Sequence, residues 1–95
     1  MHEGETVPLS FVLDQNFPNP FNPATRIRYQ VPEATWVTLK VFDFLVRNLS
    51  TLVNERKPVG SYTVTFDGLG LASGVYFYQF LAGAHAVSRA MLLIR

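Results

Sequence analysis

Apolar side chains recur at every second position through segment after segment of this chain, and that period belongs to strands, not helices. Residues 25–31 read Thr-Arg-Ile-Arg-Tyr-Gln-Val, with Ile27, Tyr29 and Val31 on one face and Arg26, Arg28 and Gln30 on the other. Thr25 joins the polar remainder, and Pro32, lacking the N–H that a ladder needs, ends the run. Residues 35–43 turn Val37, Leu39 and Val41 inward, with Thr38 and Lys40 outward between Trp36 and Phe42. Residues 60–67 alternate Tyr62, Val64 and Phe66 with Thr63 and Thr65, and Asp67-Gly68 follows as a turn signal.

Two further segments complete the C-terminal half. Residues 74–82 carry Val75, Tyr76, Phe77, Tyr78 and Phe80, the near-continuous apolar run of a central strand covered on both sides. Ala82-Gly83-Ala84 is a short hairpin connection. The last strand, about residues 85–94, sets Val87, Met91 and Leu93 on one face and Ala86, Ala90, Leu92 and Ile94 on the other. Residues 47–53 fit either a short helix or a weaker strand with Leu49, and after it Leu52, as apolar anchor; the neighbouring strands favour the strand, and residues 11–16 supply a first strand. No segment shows a helical period with capping signals. About seven short strands separated by turns predict an all-β fold, an immunoglobulin-like antiparallel β-sandwich.

Composition narrows the function. With 95 residues, 48% apolar and 16% charged, the chain suits one packed domain and not a disordered segment. A net charge of +1 gives no electrostatic reason to expect nucleic acid or an anionic membrane as partner. There is no cysteine, which excludes disulfides, thiolate nucleophiles and Cys-ligated zinc. No stretch approaches the roughly 18–20 apolar residues of a spanning helix, so direct membrane insertion is not expected. Residues 1–8 contain Glu3 and Glu5 and no apolar core of a signal peptide. They read as a linker or appended tail ahead of a domain at 9–95, and an export signal, if there is one, is expected elsewhere.

Asn16-Phe17-Pro18-Asn19-Pro20-Phe21-Asn22-Pro23 stands apart from the strands. Its prolines fix φ and bias each preceding residue to extended geometry, and its asparagines satisfy turn backbone. Phe17 and Phe21 are expected to tuck this loop onto the edge of the sandwich. A ligand for a proline-recognising groove is the competing reading, but Asn-Pro pairs are turn formers and favour the structural role.

These residues also carry a resemblance. The stretch Asp14-Gln15-Asn16-Phe17-Pro18-Asn19-Pro20-Phe21-Asn22-Pro23-Ala24-Thr25, then Ile27, Tyr29 and Val31-Pro32, resembles the opening of type A C-terminal sorting domains of the type IX (Por) secretion system. Val37-Thr38-Leu39-Lys40-Val41-Phe42-Asp43, Gly60-Ser61-Tyr62, Asp67-Gly68, Leu71-Ala72-Ser73-Gly74-Val75-Tyr76-Phe77-Tyr78 and the tail Met91-Leu92-Leu93-Ile94-Arg95 are similar to its later signatures. The resemblance implies a seven-stranded immunoglobulin-like sandwich at the C-terminus of a secreted enzyme or adhesin. It implies a non-catalytic signal, without cofactor, carried by an N-terminal cargo domain through the periplasm to the cell surface or beyond. The partners implied are outer-membrane secretion and surface-attachment proteins, and Met91, Leu92, Leu93, Ile94 and Arg95 are the candidate recognition residues. Asn16, Pro18, Asn19, Pro20, Phe21, Asn22, Pro23, Asp67, Gly68, Ser73 and Gly74 are the structural motif. Two positions depart from the family pattern. Val46 stands before Arg47 where a turn glycine is usual, so the turn must differ or be strained, because a β-branched residue resists positive φ. Phe66 stands where Trp is frequent.

Other chemistries find little support. His2 and His85 are the only histidines, and Ser61, Ser73 and Ser88 lack the setting of a nucleophile elbow. Asp14, Asp43 and Asp67 lie beside turns, where they are expected to accept backbone hydrogen bonds. No dense Asp-x-Asp-x-Asp run suggests calcium. Asn48-Leu49-Ser50 is a formal glycosylation sequon. A carbohydrate-binding or adhesive accessory module is the alternative function, with Trp36 and either Tyr76 or Tyr78 as a flat aromatic platform. Residues 91–94 have a further property as a final strand: an edge exposes unpaired N–H and C=O groups to which a receptor strand can add.

Overall fold

In the computed structural model, which describes residues 7–95, the alternating segments become seven strands. They are β1 (Val12–Leu13), β2 (Ala24–Val31), β3 (Thr35–Phe42), β4 (Asn48–Lys57), β5 (Gly60–Asp67), β6 (Gly74–Ala82) and β7 (His85–Leu93). One sheet has the order β1-β2-β5 and the other β4-β3-β6-β7, with every pair antiparallel. Among the described residues there is no helix. The chain crosses between sheets after β2, β4 and β5, whereas β3–β4 and β6–β7 are hairpins of the larger sheet. This is the expected all-β, immunoglobulin-like sandwich.

The period-two pattern sets which faces meet. Ile27, Tyr29 and Val31 from β2 are buried with Val37, Leu39 and Val41 from β3, and with Tyr76, Tyr78, Phe80 and Ala82 from β6. Burial of each large apolar side chain stabilises the fold by about 1.5–3 kcal/mol. A one-residue slip would turn a whole strand's set into water, so the register is firmly held. Tyr76 marks the architecture independently. Its hydroxyl donates to the Ala72 carbonyl at 2.6 Å, pinning the loop before β6 to the strand in the manner of an immunoglobulin tyrosine corner.

Several boundaries differ from the sequence expectation. The first strand shrinks from 11–16 to Val12–Leu13, because the Asn16 N–H leaves the ladder for the Tyr78 hydroxyl. The weak strand at 47–53 runs instead from Asn48 to Lys57. Register shifts opposite β3 break its alternation, and Val53 is its buried anchor, whereas Leu49 is exposed and Leu52 only half-buried. β6 is central in its sheet but covered on one face only; Val75 and Leu81 reach solvent on the other. Tyr62 and Val64 on β5 are half-buried, leaving Phe66 as that strand's core residue. Thr25, counted above with the polar remainder, is buried on the Ile27 face.

Candidate functional site

The Asn-Pro loop, the Asp67-Gly68 turn, Ser73-Gly74 and the C-terminal tail are scattered along 80 residues of sequence, yet the sheet register gathers them at one end of the sandwich. β2 begins where β5 ends, with Ala24 opposite Asp67, and β6 begins where β7 ends, with Gly74 opposite Leu93. The loop joining β1 to β2 therefore passes directly over the last residues of β7.

Asn16 organises that loop from inside. Its buried amide donates to the Pro18 carbonyl at 3.1 Å and to Thr25 Oγ1 at 3.0 Å, and Thr25 Oγ1 donates to the same carbonyl at 2.8 Å. The Tyr78 hydroxyl accepts the Asn16 N–H and donates to the Asp14 carbonyl at 2.7 Å. A buried polar side chain is tolerated only when its hydrogen bonds are made, and here they are. The Phe17–Pro18, Asn19–Pro20 and Asn22–Pro23 bonds are cis.

So shaped, the loop clasps the outer edge of β7. The Phe21 N–H donates to the Leu92 carbonyl at 2.9 Å, and Ile94 N–H donates to the Phe21 carbonyl at 3.0 Å, a parallel bridge between Phe21 and Leu93. Asn19 Oδ1 accepts the Leu92 N–H at 3.0 Å, and Gln15 Nε2 donates to the Ala90 carbonyl at 2.7 Å. Beyond the strand, the Arg95 N–H reaches Ser73 Oγ at 2.8 Å, and its guanidinium donates to the Leu71 carbonyl at 2.9 Å. The edge expected to lie open along 91–94 is thus already paired at Leu92 and Ile94, within the chain itself.

Packing locks the clasp. Phe21 is buried and meets Phe66 edge-on at 6.1 Å between ring centres, so one residue bridges both sheets. Gly68 lies beneath it, its N–H on the Pro23 carbonyl at 2.7 Å. A Cβ there would stand 3.1 Å from that carbonyl oxygen and 3.3 Å from both Leu93 and the Phe21 ring. Phe17 does not share this role: it is 63% exposed, because its backbone pairs with Arg26 and turns the ring outward. Pro18, Asn19, Pro20 and Asn22 are exposed, and Pro23 is half-buried. In the tail, Met91 and Leu93 are buried while Leu92, Ile94 and Arg95 face outward.

The β3–β4 turn resolves the departure at Val46. Val46 adopts φ of 63°, the left-handed conformation that glycine would take without strain. Asp43 makes this possible: its Oδ1 accepts the N–H groups of Leu45 and Arg47, each at 2.9 Å, and its Oδ2 accepts Arg47 Nε at 2.7 Å. These contacts, led by the Arg47 backbone N–H, hold the Asp43 carboxyl below the usual carboxylate range. Asp67 Oδ1 caps the Leu69 N–H in the same way at 2.9 Å. Asp14 departs from the expectation; its carboxylate forms an exposed ion pair with Arg28 at 3.1 Å instead.

The residues considered for other chemistries stay apart. His85 stacks on Phe11 at 5.1 Å, and His2 lies outside the described residues. Among the described residues, no three His, Cys, Asp or Glu side chains cluster as metal ligands would. No helix among them is long and apolar enough to cross a membrane. Trp36 is 56% exposed on the outer face of β3, its indole N–H on Asn54 Oδ1 at 2.9 Å. Tyr76 and Tyr78 are buried, so they cannot share an aromatic platform with it.

Gln15, Thr25, Leu71 and Phe66 belong to this end of the molecule although sequence reasoning assigned them no part in the clasp. Gln15 adjoins the motif and Thr25 lies one residue beyond its end, and that proximity was the available signal. Leu71 acts through its backbone, which leaves no trace in side-chain pattern.

The family model of the secretion-system C-terminal sorting domain, the type IX signal, matches residues 15–94. No curated protein and no solved structure matches the chain.

Proposed function

This chain belongs to the family of secretion-system C-terminal sorting domains, and on that premise we propose that it is the export and surface-attachment signal of a larger secreted protein. The family match along residues 15–94 is the observation that carries this reading. The cargo is a domain N-terminal to the sandwich, and the route runs through the periplasm to the cell surface or the medium. Protein components of the outer-membrane translocon read the domain, and surface-attachment proteins act on it afterwards. The signal is non-catalytic and needs no cofactor.

Met91–Arg95 is the recognition segment in this proposal, with a division of labour. Buried Met91 and Leu93 anchor the strand, while exposed Leu92, Ile94 and Arg95 present side chains to a receptor. The test is a transplant of the 95-residue chain onto the C-terminus of a periplasmic reporter, in a bacterium with a type IX system. Surface display is expected, lost when a translocon component is deleted and lost when residues 91–95 are removed. Retention of the folded fusion in the periplasm would overturn the reading in favour of an accessory binding module.

A further inference from the structure

We infer that Asn19, Phe21 and Ser73 are positioning residues for recognition, and that the receptor reads the C-terminal segment in its clasped conformation, as a side-chain surface and not as an open strand edge. The inference rests on the sorting function proposed above and specifies how the tail is read.

Receptors commonly capture an edge strand by extending its sheet, which requires free N–H and C=O groups along the edge. In this molecule Leu92 has neither: Asn19 Oδ1 takes its N–H and the Phe21 N–H takes its carbonyl. The Ile94 N–H is held by the Phe21 carbonyl. Strand addition here would first have to strip the loop from the edge. That would unseat Phe21, which is buried against Phe66 and whose ring lies 3.3 Å from the Cβ position of Gly68. Expelling a buried phenylalanine would also return its apolar surface to water.

What remains available on the tail is side-chain chemistry. Leu92 and Ile94 project from the same side of β7, outward from the sandwich, and Val75 lies directly opposite Leu92 on β6. Arg95 follows in a fixed position because Ser73 Oγ and the Leu71 carbonyl hold its backbone and guanidinium. Ordering these groups before the encounter removes most of the entropy cost of ordering them during it. Asn19 and Ser73 supply this order from positions 73 and 22 residues away in sequence. Neither needs to touch the receptor.

The experiment uses the reporter fusion with the complete chain, in parallel with the purified chain. Asn19→Ala combined with Ser73→Ala removes both side-chain acceptors and leaves the tail sequence untouched. Surface display is expected to fall at least tenfold while the chain remains folded by circular dichroism, and amide exchange at Leu92 and Arg95 is expected to quicken selectively. Asn19→Asp with Ser73→Thr keeps both acceptors and is expected to restore display and slow exchange. That rescue separates positioning from a loss of stability, and serves as the second arm if the double-alanine chain fails to fold. Undiminished display by a folded double-alanine chain with quickened tail exchange would overturn the inference. Exchange unchanged in that chain would overturn it too, because the loop would then not be what holds the tail. If the unmodified fusion is not displayed, the sorting function fails, and the exchange arm still decides whether Asn19 and Ser73 fix the tail.

Discussion

The Tyr78 hydroxyl accepts the Asn16 N–H at 2.8 Å across 62 residues of sequence, and donates to the Asp14 carbonyl two residues earlier. It joins the middle of the four-stranded sheet to the start of the loop that covers β7. Tyr78→Phe would leave a buried N–H and a carbonyl without partners, each costing about 1–3 kcal/mol. A loss of about 2–4 kcal/mol is expected, read as a lower denaturation midpoint with an unchanged slope.

Tyr29 offers the opposite case within the same core. Its ring is fully buried, between Tyr62 at 5.3 Å and Phe80 at 5.4 Å, and its hydroxyl has no partner. Tyr29→Phe keeps the ring and removes the orphaned oxygen, so stability should hold or rise by about 1 kcal/mol. A loss as large as that of Tyr78→Phe would show that the hydroxyl is satisfied in solution.

Alkaline titration should report the same burial. Desolvation, with smaller contributions from Tyr62 and Glu55, pushes the Tyr29 phenol from 10.0 up to about 12. Between those values the unfolded chain releases a proton that the folded chain keeps, so stability falls as pH rises from about 10 to about 12. Burial raises Tyr78 as well. Tyr29→Phe should therefore make the decline in unfolding free energy shallower without abolishing it.

At the β3–β4 turn, Val46→Gly should stabilise the fold. A left-handed conformation costs a non-glycine residue about 1–2 kcal/mol. Glycine's greater freedom in the unfolded chain returns about 0.5–1 kcal/mol of that. The Val46 side chain is 74% exposed and gives up little packing. A net gain of about 0.5–1 kcal/mol is expected in chemical denaturation.

Asp43→Asn tests what holds that turn. The carboxylate is depressed in the folded state, so its contribution is present above the unfolded pKa of about 4 and is lost as pH falls through the lower, folded value. Asp43→Asn should melt at a lower temperature at pH 7, and the gap to the parent should close on acidification below about pH 4. A gap that stays constant with pH would mean that the turn does not depend on the charge.

Much of the architecture was legible because burial on one face writes itself into every second residue, as in Ile27, Tyr29 and Val31. The pattern failed where something other than a flat ladder governed the side chains. β4 lies at an edge and carries two irregularities opposite Leu39–Lys40 and Val41–Phe42 that break its alternation, and its regular but polar run Asn54-Glu55-Arg56-Lys57 continues the strand without an apolar face to announce it. Phe17 and Phe21 are chemically alike in sequence, and only the backbone pairing of each decides that one is exposed and the other buried. The motif residues of the candidate site were legible as a set. Their assembly was not, since Asn19 and Leu92 meet through a backbone N–H that any residue would possess.

That last point bears on how such signals can be exchanged between proteins. The tail gives only backbone groups to its hydrogen bonds with the loop, so these are indifferent to the tail's sequence, whereas the fit of Phe21 against Leu93, Phe66 and the bare backbone of Gly68 is not. A foreign tail grafted onto this sandwich would find its backbone accepted and its side chains unmatched. Loop, glycine turn and tail thus form one heritable unit, and viable hybrids should be those that take all three from the same parent.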